Sequence, residues 1–110
     1  MKSDEIIKKI NFSKMNSLIP VVTQDFKTNE VLMLGFMNKE ALKKTLKDGK
    51  VTYFSRVRKK IWQKGETSGY FLQVKEIWVD CDNDTLLIRV KPYGNVCHTG
   101  HKTCFFKKIL

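Results

Sequence analysis

Short strand-like segments that follow one another at close intervals constrain the fold of this chain more than any other feature. Each is rich in β-branched or aromatic residues, and polar turns such as residues 27–30 separate them. Strands joined by short links predict a mostly antiparallel sheet or a pseudo-barrel. The expected strands cover residues 21–22, 31–36, 50–62, 71–79 and 85–90.

One segment has the pattern of a helix, so the predicted fold class is α+β with β-structure dominant. Asn38 can cap a main helix over about residues 39–48, and Glu40 lies in the first turn, where the helix dipole favours negative charge. Gly49 is a natural end for this helix. Its apolar face is expected to comprise Ala41, Leu42, Thr45 and Leu46.

Length and composition predict one globular domain over residues 1–110, in which residues 1–17 are a polar lead-in and residues 4–10 can form a short helix. The chain is 42% hydrophobic and 11% aromatic, which is typical of folded proteins. No window has the roughly 18 apolar residues that a membrane span requires, and the charged N-terminal segment lacks the apolar stretch of a secretory signal. We therefore expect a cytoplasmic protein with no membrane partner.

The net charge of +10 permits two interpretations. A strongly basic chain can bind nucleic acid or a heavily phosphorylated small ligand. The lysines are scattered, however, and no block reaches the five or six like charges of an interaction tail. Lysines spread over a solvated surface are the simpler interpretation.

Every cysteine, both histidines and three of the eleven acidic residues fall within residues 80–104. Carboxylates suit a hard cation such as Mg²⁺, whereas thiolates suit zinc. Thiols stay reduced in the cytosol, and an odd number of cysteines argues against a disulfide framework. Two kinds of metal are therefore predicted. The candidate ligands are Asp80, Asp82 and Asp84 for magnesium, and Cys81, Cys97 and Cys104 for zinc.

The three aspartates alternate, so an extended segment would place them on one face about 7 Å apart. They could converge on one ion only if the chain bends. Cys81 would then point to the opposite face, where another subunit could meet it. A solvated turn and a calcium loop are the alternatives. An EF-hand is excluded because position six is Thr85 rather than glycine and position twelve is Lys91 rather than glutamate.

Cys97 and Cys104 flank a predicted turn at residues 99–100. With Cys81 they offer three thiolates, and both histidines are optional ligands or bases, so a closed structural site and an open catalytic site are both compatible with the sequence. The absence of a Cys-x-x-Cys pair disfavours a zinc ribbon and a redox or metal-buffering protein. Buried free cysteines are the remaining alternative.

Residues 64–69 combine two glycines, two hydroxyls and a lysine, although their spacing is not that of a Walker loop. Such a loop has the groups that bind phosphate, and Arg56 and Arg58 alternate on the predicted strand before it, so both guanidinium groups would face one side. A surface turn and a solvated strand edge are the simpler interpretations of each part. Together they favour an anion site. The candidate substrate-binding residues are Arg56, Arg58, Lys64, Glu66, Thr67 and Ser68.

The order of these motifs resembles the phosphoribosyl-AMP cyclohydrolase family of histidine biosynthesis. The resemblance rests on residues 64–69, 80–84 and 97–105, and with upstream motifs it covers about residues 18–106. It implies hydrolytic opening of the adenine ring of N1-(5-phosphoribosyl)-AMP by a homodimer that uses zinc and magnesium. No pyrophosphohydrolase domain follows residue 110, so the single-activity form is expected.

The resemblance also implies roles for individual residues. Zinc would be bound by the three thiolates, of which Cys81 comes from the opposite subunit, and magnesium by the three aspartates. Arg56, Arg58 and Lys64 would hold the phosphate groups at the two ends of the substrate. His98 is our candidate for proton transfer.

Three positions depart from the family pattern, and each affects substrate contacts rather than the reaction. Val57 lies where a second serine is usual, and Tyr70 lies where a smaller polar residue or a histidine is common. Thr103 replaces a serine.

A small zinc-containing nucleic-acid-binding protein is the alternative from a different functional class. The net charge and the three cysteines favour it. Three aspartates beside the zinc would repel phosphate, so we expect no nucleic-acid partner.

Overall fold

The computed structural model describes residues 2–110, which form two helices and two open sheets. The open sheets match the first of the two predicted architectures rather than the pseudo-barrel. No helix in this range is both long and apolar enough to cross a membrane. In chain order the elements are α1 (Ser3–Lys8), β1 (Ile19–Asp25), β2 (Val31–Met37), α2 (Lys39–Asp48), β3 (Thr52–Ser55), β4 (Lys60–Gln63), β5 (Leu72–Val79) and β6 (Leu86–Pro92).

The larger sheet has the strand order β2-β1-β6-β5. Its two outer pairs, β1 with β2 and β5 with β6, are antiparallel hairpins of the kind that short links predict. The central pair, β1 with β6, is parallel, with Thr23 opposite Ile88. This pairing was not predicted, because the two strands are far apart in sequence and no local pattern specifies their contact. The prediction of a mostly antiparallel sheet is confirmed, since three of the four strand pairings are antiparallel.

The predicted single strand over residues 50–62 is wrong. The segment forms a separate hairpin of β3 and β4, with a tight turn at residues 56–59. The N–H of Lys59 donates to the carbonyl oxygen of Ser55 at 2.8 Å, and Lys59 has a positive φ of 56°. Arg56 and Arg58 therefore lie in this turn and do not alternate on a strand. The turn contains neither glycine nor proline, so the sequence lacks the residues by which a turn is usually recognised.

The main helix forms where it was predicted. The side chain of Asn38 accepts a hydrogen bond from the N–H of Ala41 at 2.8 Å, and Gly49 ends the helix in the left-handed conformation at φ 71°. Leu42 is fully buried against the sheets. Burial of a side chain of this size contributes roughly 1.5–3 kcal/mol to stability.

The segment before β1 is packed onto the rest of the domain. Its short helix α1 is followed by Ile10 and Phe12, which are buried in the hydrophobic core. A tight turn then brings the N–H of Leu18 to the carbonyl oxygen of Met15 at 3.0 Å. The N–H of Asn11 donates to the carbonyl oxygen of Asn83 at 2.7 Å, which holds this segment close to the loop between β5 and β6.

Candidate active site

The aspartate loop, residues 80–84, links β5 to β6 and bends sharply. One carboxylate oxygen of Asp80 accepts hydrogen bonds from the N–H groups of Asp84 (3.0 Å) and Thr85 (3.2 Å). Asn83 adopts a positive φ of 63°. This bend brings one oxygen from each of the three aspartates within 4.8 Å of the others. The three aspartates therefore converge as one metal ion requires, which they could not do in an extended segment.

A lysine from the distant N-terminal segment lies against this loop. The ammonium of Lys14 is 2.9 Å from a carboxylate oxygen of Asp82 and 2.9 Å from one of Asp84. The two carboxylates raise the pKa of Lys14. The hydrogen bond from Lys14 is in turn the main reason why the pKa of Asp82 falls to about 2. Sequence reasoning missed Lys14, because it is 68 residues from Asp82 and belongs to no motif.

The thiol loop, residues 96–104, closes through backbone hydrogen bonds. The N–H of Val96 donates to the carbonyl of Lys102, and the N–H of Cys97 donates to that of His101, both at 3.0 Å. The predicted turn at residues 99–100 lies inside this loop, and the loop's end is fixed to β2 by the N–H of Cys104, which donates to the carbonyl of Leu32 at 2.8 Å. The loop therefore has a defined shape within one chain.

The thiols of Cys97 and Cys104 lie close enough together for each to shift the pKa of the other. The hydroxyl of Thr99, whose oxygen is 2.9 Å from the Cys97 sulfur, and the N–H of Thr99 lower the pKa of Cys97. Burial and the neighbouring charge of Cys97 raise the pKa of Cys104. Two adjacent thiols, one of them disposed to ionise, are suitable donors for zinc.

Cys81 does not join these two thiols. It is exposed on the aspartate loop, whereas Cys97 is buried. Within residues 2–110, the aspartates are the one set of three or more potential metal ligands whose atoms lie this close together. A single chain thus supplies a complete set of carboxylates and only a pair of thiols.

The two histidines have different surroundings. His98 is exposed and directly follows Cys97. The ring of His101 stacks on Phe106, with 3.7 Å between ring centroids and 8° between ring planes. This stacking fixes the ring of His101.

The candidate anion-binding side chains lie around the β3–β4 hairpin. The guanidinium of Arg56 packs over the ring of Phe36 at 4.0 Å, and Arg58 lines a cavity of about 240 Å³ with Ser55 and Trp62. Lys64 lies close enough to the thiols for its positive charge to lower the pKa of Cys97. This effect is smaller than that of the Thr99 hydroxyl and N–H. Lys64 thus connects this basic region to the thiol loop.

Residues 64–69 form a compact turn in which the N–H of Gly69 donates to the carbonyl of Gly65 at 2.7 Å. Gly65 has a φ of 86°, and a Cβ there would come within 2.3 Å of the backbone nitrogen of Phe71. Glu66 and Ser68 help to hold the turn. The Glu66 carboxylate accepts from the N–H of Gln63 at 3.4 Å, and the Ser68 hydroxyl accepts from the N–H of Tyr70 at 3.1 Å. The neighbouring Thr67 is exposed.

A second cavity, of about 690 Å³, was not foreseen from the sequence because its walls come from separate strands and loops. Four lysines line it, and Asn95 and Lys102 place it beside the thiol loop. We call it the lysine cavity. Its lining residues are Asp25, Phe26, Lys27, Thr28, Lys75, Val90, Lys91, Pro92, Gly94, Asn95 and Lys102.

Asp25 holds one wall of the lysine cavity in place. One of its oxygens accepts from the N–H groups of Lys27 (2.8 Å) and Thr28 (3.2 Å), and the other lies 3.3 Å from the Lys102 ammonium. Burial alone would raise the pKa of Asp25, but these three partners outweigh it and the pKa is lowered. Lys102 also pairs with Glu30 at 2.9 Å, so the thiol loop is tied to the β1–β2 turn.

The three departures from the family pattern have distinct surroundings. Val57 is 94% exposed in the β3–β4 turn. Tyr70 packs on Gly94, where a Cβ would come within 2.4 Å of its ring. The hydroxyl of Thr103 donates to the carbonyl of Val31 at 2.7 Å, a bond that serine can also make.

The fold and the site together define a small β-dominated domain with two sets of candidate metal ligands and basic cavities suited to an anionic ligand. The family model for phosphoribosyl-AMP cyclohydrolase matches residues 33–106. This chain belongs to that family, as the order of its motifs predicted.

Individual relatives agree with the family match. A protein of Clostridium botulinum named phosphoribosyl-AMP cyclohydrolase is 55% identical over 99% of this chain and 100% of its own length. One of Clostridium beijerinckii with the same name is 52% identical over 94% of each chain. The histidine biosynthesis bifunctional protein HisIE of Haemophilus influenzae is 59% identical over 90% of this chain, which spans 45% of that longer protein. These relatives do not favour the nucleic-acid-binding alternative.

Proposed function

We propose that this chain is a cytoplasmic, homodimeric hydrolase of histidine biosynthesis that opens the adenine ring of N1-(5-phosphoribosyl)-AMP. The oxygen of water adds to C6, the N1–C6 bond breaks, and N1 takes up a proton, which leaves a carboxamide. The observation that carries this proposal is the family match over residues 33–106, because every candidate metal ligand lies inside that segment.

The thiols of Cys97 and Cys104 would hold zinc, together with Cys81 from a second copy of the chain. Three protein ligands and one open position are typical of catalytic zinc. The pair in the thiol loop and the exposure of Cys81 elsewhere support a site completed by a second copy. When bound, zinc acts as a Lewis acid that lowers the pKa of water to about 7.

Asp80, Asp82 and Asp84 would hold magnesium. Their oxygens lie within 4.8 Å of one another, and an all-carboxylate donor set suits a hard divalent cation. Magnesium in such sites usually binds substrate phosphates as well, so this loop would meet one phosphorylated end of the substrate.

Basic side chains would hold the phosphate groups. Arg58 lines a cavity with Trp62, and the ammonium of Lys64 lies 5.8 Å from the centre of the Trp62 ring. Arg56 belongs to the same hairpin, with its guanidinium over the ring of Phe36. The lysine cavity is a second place for a phosphorylated end, because it lies beside the thiol loop and four lysines surround it. Within residues 64–69, Glu66 would accept a hydrogen bond from a ribose hydroxyl, and Thr67 and Ser68 would add hydroxyl donors.

His98 is our candidate for moving the proton to the leaving nitrogen. Its exposure beside Cys97 supports this role, whereas the ring of His101 is stacked on Phe106. Imidazole is the side chain that enzymes use most often as a general acid or base.

A turnover assay with phosphoribosyl-AMP, with and without a chelator, tests the proposal. We expect ring opening that the chelator stops and that added zinc and magnesium restore. No turnover at any metal concentration, together with RNA binding that weakens steeply with salt, would instead support the nucleic-acid-binding alternative.

A further inference from the structure

Lys14 occupies the position beside the aspartate loop where a cation is expected. Its ammonium contacts one oxygen of Asp82 and one of Asp84, each at 2.9 Å. These two aspartates belong to the set whose oxygens converge within 4.8 Å. A divalent ion bound by the same oxygens would lie about 2.0–2.6 Å from them. The ammonium and the ion would then share ligands at close range, where two positive charges repel.

The chain holds Lys14 in place from both sides. On one side the N–H of Asn11 donates to the carbonyl of Asn83 in the aspartate loop at 2.7 Å, and Phe12 is buried in the core. On the other, a tight turn joins Met15 to Leu18 just before β1. The backbone at Lys14 is therefore fixed next to the loop, while its side chain is 48% exposed and can turn toward solvent.

We propose that Lys14 is a tethered competitor for the cation site. Its ammonium neutralises part of the aspartate cluster while no metal is bound, and it leaves the carboxylates when a divalent ion enters. This inference rests on the proposed magnesium site and adds the residue that sets the affinity of that site.

The exchange also favours divalent over monovalent ions. Replacing the ammonium by sodium or potassium trades one positive charge for another, so the cluster gains no neutralisation. Magnesium brings one charge more than the ammonium, and the cluster retains enough negative charge to attract it, because three carboxylates oppose one lysine. Lys14 is thus a specificity-determining residue for the metal.

The test measures binding of Mn²⁺, a spectroscopic substitute for Mg²⁺, to the metal-stripped protein by electron paramagnetic resonance. We expect Lys14→Met to tighten binding about tenfold, which corresponds to about 1.4 kcal/mol. Lys14→Arg, which keeps the charge, should bind like the parent.

The matched control is Lys44→Met, because Lys44 pairs with Asp48 at the same distance of 2.9 Å and is 44% exposed. It should also bind like the parent. Lys14→Gln is measured as a second neutral variant, so the test does not depend on the folding of Lys14→Met. Every neutral variant that folds should tighten binding.

Unchanged or weaker Mn²⁺ binding in both neutral variants would overturn the inference, as would equal tightening in the Lys44→Met control. Asp82→Asn separates this failure from a failure of the proposed magnesium site, and the turnover assay tests the proposed hydrolase function independently. Suppose that Asp82→Asn binds Mn²⁺ weakly while the neutral Lys14 variants bind it like the parent. This result supports the metal site and contradicts the role of Lys14. Parental binding in Asp82→Asn shows that the aspartate loop is not the metal site, and the proposed magnesium site and the role of Lys14 then fail together.

Discussion

The aspartate loop and the thiol loop present their candidate ligands in opposite ways. In the aspartate loop all three ligands belong to five consecutive residues, and one sharp bend brings their oxygens together. In the thiol loop two thiols are adjacent, and the third cysteine lies on the other loop. The first set is complete within one chain, whereas the second needs a further ligand. Under the proposed metal assignments, we therefore expect one ion to bind a lone subunit and the other to require assembly of two copies.

The largest effect is expected from Cys97→Ala. Loss of one of the three proposed thiol ligands should abolish both zinc content and turnover, because Cys104 and the Cys81 of a second copy are too few to hold the ion. Secondary structure should stay largely intact, and the magnesium response of the aspartate loop, measured as Mn²⁺ binding, should not change. Metal analysis, circular dichroism and the turnover assay check this, with Thr103→Ser as the control in the same loop. Full activity in a zinc-free Cys97→Ala protein would contradict the catalytic role proposed for zinc.

A mixing experiment tests whether the thiol site is shared. Cys81→Ala and Cys97→Ala proteins should each be inactive, but a mixed dimer has one intact site, with Cys81 from one copy and Cys97 from the other. Half of the dimers should be mixed after random exchange, so about a quarter of the parental sites should return. Turnover of the mixture is compared with that of each variant alone. No recovery, with subunit exchange verified by mass spectrometry, argues against a site between subunits.

Asp82→Asn should have a smaller effect, on the aspartate loop alone. Loss of one carboxylate should make turnover insensitive to magnesium and slow it by at least about tenfold, while zinc content is unchanged. Magnesium titrations of the turnover rate measure this, with Asp48→Asn on α2 as the control, because Asp48 also pairs with a lysine at 2.9 Å. A rate and a magnesium response like those of the parent would contradict the second-metal proposal.

The smallest effect is expected from Asp25→Asn, which removes the buried partner of Lys102. The free energy of unfolding at pH 7 should fall by about 1–2 kcal/mol, and zinc should bind more weakly than in the parent, while Mn²⁺ binding is unchanged. The pKa of Asp25 is lowered in the folded chain. Its stabilisation is therefore fully present above the unfolded pKa of about 3.9 and is lost as the pH falls through the lower folded value.

Denaturant unfolding at several pH values checks this last prediction. The difference between parent and Asp25→Asn should be constant near neutral pH and should shrink below about pH 4. A difference that persists at low pH would mean that the carboxylate charge is not its source. Equal weakening of both metal sites would contradict the link between Asp25 and the thiol loop.

Features that depend on neighbouring residues were predicted correctly. The helix α2 begins with the Asn38 cap and ends at Gly49, and both signals lie within the segment that they delimit. The turn at residues 99–100 and the hairpin of β1 and β2 are equally local. The β3–β4 turn was missed because residues 56–59 lack the glycine or proline by which such turns are usually recognised.

Residue identity, periodicity and motif order were enough to predict the helix α2, the strand-rich class, the family and the chemical types of the candidate ligands. Tertiary contacts do not alter any of these properties of the sequence. The structure alone decided the parallel pairing of β1 with β6, the position of Lys14 between two carboxylates, and the walls of the lysine cavity. It also decided that Cys81 stands apart from the other thiols. Each of these depends on residues far apart in the chain, and only the packing of the whole domain determines which distant residues meet.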